Sequence, residues 1–572
     1  MNSILNLTTS LTSHWENRKK KLIFNNLLNE KYVLYISTAM KHYIIILFFI
    51  PFALIANSYS LQRVKFKIEE HKEIYEIYQL GISIEELIDG WVVARVNEEE
   101  IKMLRTLGYT LFKYVEPPIR SDGYHSYEDM ISKLDTITNQ YPGITKKFSL
   151  GQSVEGRELT CLKISDNPEI DEAEPEIRFI GIIHGDEPIG CELLLNLADT
   201  LTSSYNNNGY LTDLVDNMEI FIFPMLNPDG REIGSRYNAN GEDLNRDFPV
   251  PDSSIGGDYN WVYEPETSAL INWSDTMNFT LSATFHSGAR VVNYQWDYTN
   301  EIPPFHSLIR EISKGYAIRN DSMFNSPDPW YADSGVIRGS EWYIVAGSLQ
   351  DWSYHNTGCI DLTIELNPEK WPDSTKLPDL WQQNRNSILY LIHKAGTGVS
   401  GIVRDGVTGE PIYANIMVSG YNKGIKTDPD VGDYHRLLQT GIYDLTFTSE
   451  DYCTLTVYNF DVHGNSLQTL NVELTPAGTT STKEPEILYI STPTIIIPQS
   501  FSITLSIPES DFYTLSIFDK VGRKIRNIFK DRLYQVGFHD ESISIKSIPK
   551  GIYFLHLDSV NIDGITRKIL IF

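Results

Sequence analysis

Cysteine is scarce. Four cysteines in 572 residues, Cys161, Cys191, Cys359 and Cys453, show neither metal-ligand spacing nor the spacing of a disulfide framework. Cys191 falls on an expected helix and Cys359 on an expected strand, so both read as small core residues. So few cysteines are compatible with export but do not argue for it. Positive charge is also short, with 48 Lys plus Arg against 75 Asp plus Glu, a net charge of −27. This excludes nucleic acid and anionic membranes as partners, because phosphate binding needs a basic footprint. It suits attraction of cationic peptides, although acidity also serves solubility. Internal repeats and low-complexity runs are missing. Long apolar runs are missing too, apart from Tyr43 to Ile55, which is shorter than the roughly 20 residues a transmembrane helix needs.

That one run has a context. Met40-Lys41-His42 precedes it and Ala56-Asn57-Ser58-Tyr59-Ser60 follows. Charge, a short apolar core and small residues form a secretory signal peptide over 40–60. Residues 1–39 then read as a misassigned start or an extended n-region. The competing reading is a membrane anchor from about Ile36 to Ile55.

The chemistry concentrates later. His184-Gly185-Asp186-Glu187 follows the apolar run Arg178 to Ile183, and His286 ends a second run that starts at Leu281. Two imidazoles and one carboxylate are the ligand set of a catalytic zinc whose fourth position is open to water. Farther along come Asn227-Pro228-Asp229-Gly230, Arg236, Asp243 to Pro249, Glu341-Trp342-Tyr343, Gln350-Asp351-Trp352 and Thr363-Ile364-Glu365-Leu366. In this order, and with nine residues from Arg236 to Asn245, eight from Tyr343 to Asp351 and fourteen from Asp351 to Glu365, the set resembles the funnel-shaped zinc metallocarboxypeptidases. It is closer to their regulatory N/E/D-like branch than to the digestive one.

The resemblance implies a role for each residue. His184, Glu187 and His286 hold one Zn2+ in the catalytic domain. Glu365 is the general base, taking a proton from water and returning it to the leaving amine. Arg236 stabilises the developing oxyanion. Asn245 and Arg246 bind the substrate's terminal carboxylate, which a guanidinium fork meets with two parallel hydrogen bonds. Tyr343 closes over the substrate. Asp297, eleven residues after His286, selects C-terminal Lys or Arg, while Gln350, the position used by digestive basic-specific enzymes, carries no charge. Taken singly, the residues have plainer readings. Arg246 could pair with Asp243 or Asp247, Tyr343 could be a core aromatic, Glu365 a surface carboxylate, and Asp297 the start of a loop.

The expected architecture is α/β. Strands alternate with helices such as Ile189 to Leu201 and Leu380 to Ala395, the rhythm of a sheet covered on both faces. The resemblance implies a mixed eight-stranded, carboxypeptidase-like sheet over 120–396. Before it, residues 61–116 read as strand, helix, strand, helix, strand, a ferredoxin-like α+β module. This module is similar to the prodomains that cover the active site of related carboxypeptidases. After it come two β-sandwich domains. Residues 399–476 resemble the transthyretin-like domain that follows regulatory carboxypeptidases. Beyond a linker at 477–486, residues 487–572 resemble the C-terminal sorting domain of proteins exported by the type nine secretion route.

The whole reads as a monomeric enzyme, secreted from or attached to the outer surface of a Gram-negative bacterium. Its partners are peptide or protein C-termini and, through its last domain, the export machinery. Two alternatives stay open. One is a murein-peptide hydrolase acting on diaminopimelate-containing peptides, and the other a surface peptide-binding protein with weak activity.

Overall fold

The computed structural model describes residues 61–115, 122–251, 262–326, 333–463, 466–477, 489–491, 495–496, 500–546, 548–559, 561 and 564–571. The expected signal peptide, residues 1–39 and nearly all of the 477–486 linker lie outside the described residues. No described helix is long and apolar enough to cross a membrane.

The N-terminal module has one strand more than expected. Its order is β1 (Gln62–Lys67), a helix Lys72–Gln79, β2 (Ser83–Ile88), β3 (Trp91–Val96), a helix Glu98–Thr106 and β4 (Phe112–Lys113). The sheet runs β2-β3-β1-β4. Asn97 begins the second helix with a capping box closed by Glu100, satisfying free N–H groups of the first turn. Strand β2 escaped the sequence pattern because Glu85 and Glu86 interrupt its apolar alternation, and a bulge between Ile84 and Glu86 shifts its register. A signal was nonetheless present. Asp89 and Gly90 both adopt positive φ, 49° and 72°, and join β2 to β3 in the tight two-residue hairpin that Asp-Gly favours.

The central sheet has eight strands. In chain order they are β5 (Thr145–Gln152), β6 (Glu158–Ile164), β7 (Glu176–Gly181), β8 (Glu219–Phe223), β9 (Phe279–His286), β10 (Arg290–Tyr294), β11 (Val336–Arg338) and β12 (Ile360–Leu366). The spatial order β11-β10-β12-β9-β7-β8-β6-β5 mixes parallel and antiparallel pairs, as expected. Every residue of β7, β8, β9 and β12 is buried, because both faces are covered. Ile177, Phe179, Leu281, Ala283 and Phe285 pack in one layer with the helices Ile189–Ser204 and Leu377–Ala395. Ile180, Phe221 and Phe223 join a second layer on the other face.

The neighbouring parallel strands β8, β7, β9 and β12 carry their loops at one edge, where ligands of such sheets bind. Strand β7 ends three residues before His184, earlier than the sequence run implied. Ile182 takes φ 47° there, and the turn is held by bonds from Leu226 N to Gly181 O and Asn227 N to Ile182 O, 3.1 and 2.8 Å. Cys359 lies just before β12 and not within it.

Residues Gly398 to Leu474 form two small facing sheets, one around Gly398–Asp405 and one around Gly441–Thr448. Thr408 to Ile412 supplies only an isolated bridge, Arg404 to Pro411. The last region is another pair of β-sheets around its own apolar core, with Leu515, Ile517, Leu555 and Ile569 fully buried.

Candidate metal centre

Glycine sets up the first loop. A Cβ on Gly185 would stand 2.1 Å from the backbone carbon of Gly230, so only glycine lets His184-Gly185-Asp186-Glu187 pack against Asn227-Pro228-Asp229-Gly230. The Asn227 side chain ties the two segments, accepting from Gly230 N at 2.9 Å and donating to Ile183 O at 3.4 Å. Glu187 is thereby carried under β9. Its Oε1 lies 3.1 Å from His184 Nδ1 and its Oε2 3.0 Å from His286 Nδ1.

Ligand atoms of all three side chains fall within 4.8 Å of one another, and each residue is no more than 3 % exposed. Two imidazole nitrogens and a carboxylate turned toward one point form a donor set suited to a borderline-soft divalent ion. His184 Nε2 sits 3.1 Å from Asp243 Oδ1, the carboxylate partner that orients a ligating imidazole. Among the described residues, Nε2 of His286 and Oε2 of Glu365 are buried without a hydrogen-bond partner. Burial lowers His286 to about 4, so its ring is neutral, as a ligand requires.

Glu365 is next to last in β12 and lies beside His286 across the β12–β9 ladder. Burial, then the neighbouring Glu187 carboxylate, pushes it well above the ordinary carboxylate range. Arg236 is buried, its Nε 2.9 Å from Asp243 Oδ2 and its Nη1 3.5 Å from Glu187 Oε1. Burial acts against its charge, but Asp243 and Glu187 outweigh it and hold the guanidinium charged.

One cavity is lined by all nine residues singled out in the sequence: His184, Glu187, Arg236, Asn245, Arg246, His286, Asp297, Tyr343 and Glu365. Arg246 makes no ion pair with Asp243 or Asp247 among the described contacts; it donates to Asn245 O and to Ile84 O at 2.9 and 3.0 Å. Asn245 accepts from Leu349 N at 2.9 Å. Asp297 begins no exposed loop. It is 4 % exposed, accepts from Gln350 Nε2 at 2.7 Å, and is raised to about 6 by burial. A Cβ on Gly339 would stand 1.7 Å from Asp297 Oδ1, so that glycine makes room for the carboxylate.

Two participants were not singled out in the sequence. Lys370 is buried between Asp186, Glu187 and Glu86, at 2.9, 3.1 and 2.7 Å. Its only sequence signal was position, five residues after Glu365. The other is strand β2, whose residues Glu85 to Ile88 line the same cavity. Tyr343 Oη donates to Glu85 O at 3.3 Å and Trp342 Nε1 to Leu87 O at 3.3 Å.

Comparison with known proteins agrees with this geometry. Residues 130–387 match the zinc carboxypeptidase family, and residues 497–572 match a secretion system C-terminal sorting domain. The chain is 37% identical over 384 residues to carboxypeptidase D of Homo sapiens, covering 63% of this chain and 27% of that protein. It thus spans about a quarter of that relative's length. It is 36% identical over 391 residues to the human carboxypeptidase N catalytic chain, covering 61% of this chain and 84% of that one. With carboxypeptidase E of Caenorhabditis elegans it shares 34% over 413 residues, 62% of this chain and 87% of that one. Among solved structures, carboxypeptidase A from Helicoverpa armigera is 18% identical with a TM-score of 0.48, covering 59% of this chain and 97% of that one. With these relatives matched along most of the carboxypeptidase N and E chains, and the ligand set assembled at one sheet edge, this chain belongs to the zinc carboxypeptidase family.

Proposed function

We propose that this protein is a secreted or surface-attached metallocarboxypeptidase that hydrolyses the last peptide bond of peptides and releases a single C-terminal Lys or Arg. The observation that carries this reading is the convergence of His184, Glu187 and His286 beside the unpartnered carboxylate oxygen of Glu365. His184, Glu187 and His286 would hold the zinc. Zinc supplies Lewis acidity that polarises the scissile carbonyl and lowers the pKa of water to about 7.

The chain's own residues do the rest. Glu365 takes the proton of the attacking water and delivers it to the departing amine. Arg236, fixed by Asp243, faces the oxyanion with little reorganisation. Asn245 and Arg246 take the substrate's terminal carboxylate, and Tyr343 covers it. A buried Asp297 without a cationic partner among the described ion pairs suits an ammonium or guanidinium entering the pocket. The sorting domain fits export by the type nine route of Bacteroidetes-like bacteria, with removal or exchange for a surface anchor.

The N-terminal module makes the chain latent. Strand β2 lines the same cavity and occupies the residues proposed to take substrate: Arg246 holds Ile84 O, Tyr343 reaches Glu85 O, and Lys370 pairs with Glu86. Activity therefore requires that the module be cleaved off and leave.

The test is mass spectrometry of peptides differing only in their last residue, incubated with the chain before and after limited proteolysis between module and catalytic domain. Chelator-sensitive loss of Lys or Arg alone, appearing after cleavage, is the expected result. Loss of aromatic or aliphatic residues would discard the assignment to Asp297. No gain on cleavage would discard latency. No release from any peptide would discard the carboxypeptidase reading and turn the search to murein fragments.

A further inference from the structure

The opposite edge of the same sheet holds a second group of buried charges that the proposed reaction does not use. Glu176 opens β7 and Glu219 opens β8, and the two face each other directly across that parallel pair. Both are buried, at 4 % and 0 % exposure, while Asp171, the third member, is exposed. With Asp171 they bring carboxylate oxygens within 4.8 Å of one another. Glu172 and Glu174, from the loop before β7, form a second such trio with Asp166.

Like charges side by side on neighbouring strands repel, and buried carboxylates are costly unless compensated. Among the described residues, Lys163 is the only cation in ion-pair range of the group, 2.6 Å from Glu219 Oε1. The other Glu219 oxygen, Oε2, is enclosed with no hydrogen-bond partner, and so are Oε2 of Glu172 and Oε2 of Glu174. Glu176 accepts from the backbone N of Asn278 at 2.7 Å. Glu219 meets Lys163 and Glu172 N through Oε1, at 2.6 and 3.1 Å, and an enclosed second oxygen meeting no donor, in a side chain grouped with two more carboxylates, calls for a cation.

We propose that Asp171, Glu176 and Glu219 form a second metal site, distinct from the zinc centre, that binds a hard divalent cation of the calcium class. The donors are all oxygens, with no imidazole or thiolate, which suits Ca2+ and not Zn2+. Two donors sit at the starts of central strands and the third in the loop that leads into β7, so the ion staples that loop to the sheet. Glu172, whose backbone N donates to Glu219 Oε1 at 3.1 Å, and Glu174 belong to the acidic loop beside it. Burial, with the neighbouring carboxylates, raises Asp171 to about 7 and Glu174 to about 8, as expected of a cage awaiting a positive charge.

The test uses the zinc-loaded full chain in calcium-free buffer at pH 8.5, titrated with CaCl2 by calorimetry and followed by thermal unfolding. Saturable binding and a rise in Tm of roughly 2–4 °C are expected. Asp171→Asn with Glu176→Gln should weaken binding about tenfold or more and raise Tm in the absence of calcium, because each removes a repelling charge. Should that pair fail to fold, Glu174→Gln, a partly exposed position, should still weaken binding. The absence of both binding heat and a Tm shift with calcium would overturn the proposal. So would a calcium response unchanged in the variants, and a response to MgCl2 alone would overturn the calcium assignment.

Discussion

The two edges of the central sheet differ in how they treat buried charge. At the edge where β7 and β9 end, four carboxylates have a cationic neighbour, and only Glu365 and Asp297 of the residues singled out there have none among the described ion pairs: Asp243 has Arg236, Asp186 and Glu187 have Lys370, and Glu86 has both Lys370 and Arg63. Burial acts on Glu187 against its charge, but His184 and Lys370 outweigh it and hold it well below the ordinary range. At the edge where β7 and β8 begin, burial and mutual repulsion win, and Glu176 is pushed well above that range. Strands of one sheet therefore carry one cluster whose protein charges nearly close on themselves and one that is left open. The closed cluster can hold residues in fixed positions for chemistry; the open one is stable only with protons or a cation.

Several changes would break or sharpen this contrast. The largest effect is expected at Glu365. Glu365→Gln, assayed after removal of the module, should lower kcat by about 10²–10⁴-fold while zinc content, read by atomic absorption, stays the same. A variant of near wild-type rate would remove Glu365 from the reaction. Arg236→Met should cost about 10²–10³-fold in kcat and also leave Asp243 buried without its partner. A matched loss of thermal stability would mark Arg236 as structural as well. Asp297→Asn should lower kcat/KM for C-terminal Lys and Arg by about 10²-fold or more, the cost of leaving a charged side chain unpaired, with little change for neutral C-termini. Glu86→Gln breaks the pair with Lys370 and should raise the basal activity of the uncleaved chain several-fold, with no effect once the module is gone.

The smallest effect concerns the open edge and has a definite sign. Asp171 and Glu174 hold folded pKa values of about 7 and about 8, above their unfolded values near 4. Their folded forms bind more protons, so stability is greatest below about pH 4 as far as these two groups are concerned, and is lost as pH rises toward 8. Thermal unfolding in calcium-free buffer should therefore show Tm falling between pH 5 and pH 8.5, and calcium should flatten that slope. A slope unchanged in Asp171→Asn with Glu174→Gln would assign it to other groups.

Much of the candidate metal centre was legible in the sequence because its chemistry needs particular residue types at particular spacings. His184, Glu187 and His286 come together as read, and Asn245, Arg246, Asp297, Tyr343 and Glu365 line the same cavity. Strand β2 was not legible. Its acidic centre and bulge hide the alternation, and its position is set by contacts with residues some 160 to 280 positions away. Lys370 was missed for the same reason: nothing local marks a lysine that pairs with carboxylates from a distant strand and a distant loop. The acidic cage was equally hidden, since Glu176 and Glu219 become neighbours only when β7 and β8 pair.

The sequence by itself determined the class of fold and which residues were candidates for the ligand set and its base, because apolar periodicity, turn residues and motif spacing are local properties. Only the tertiary structure decided which surface of the module faces the site, which cation serves each buried carboxylate, and that one edge of the sheet leaves its carboxylates uncompensated. Charge compensation depends on distance and burial, and both are fixed when strands far apart in the chain lie side by side.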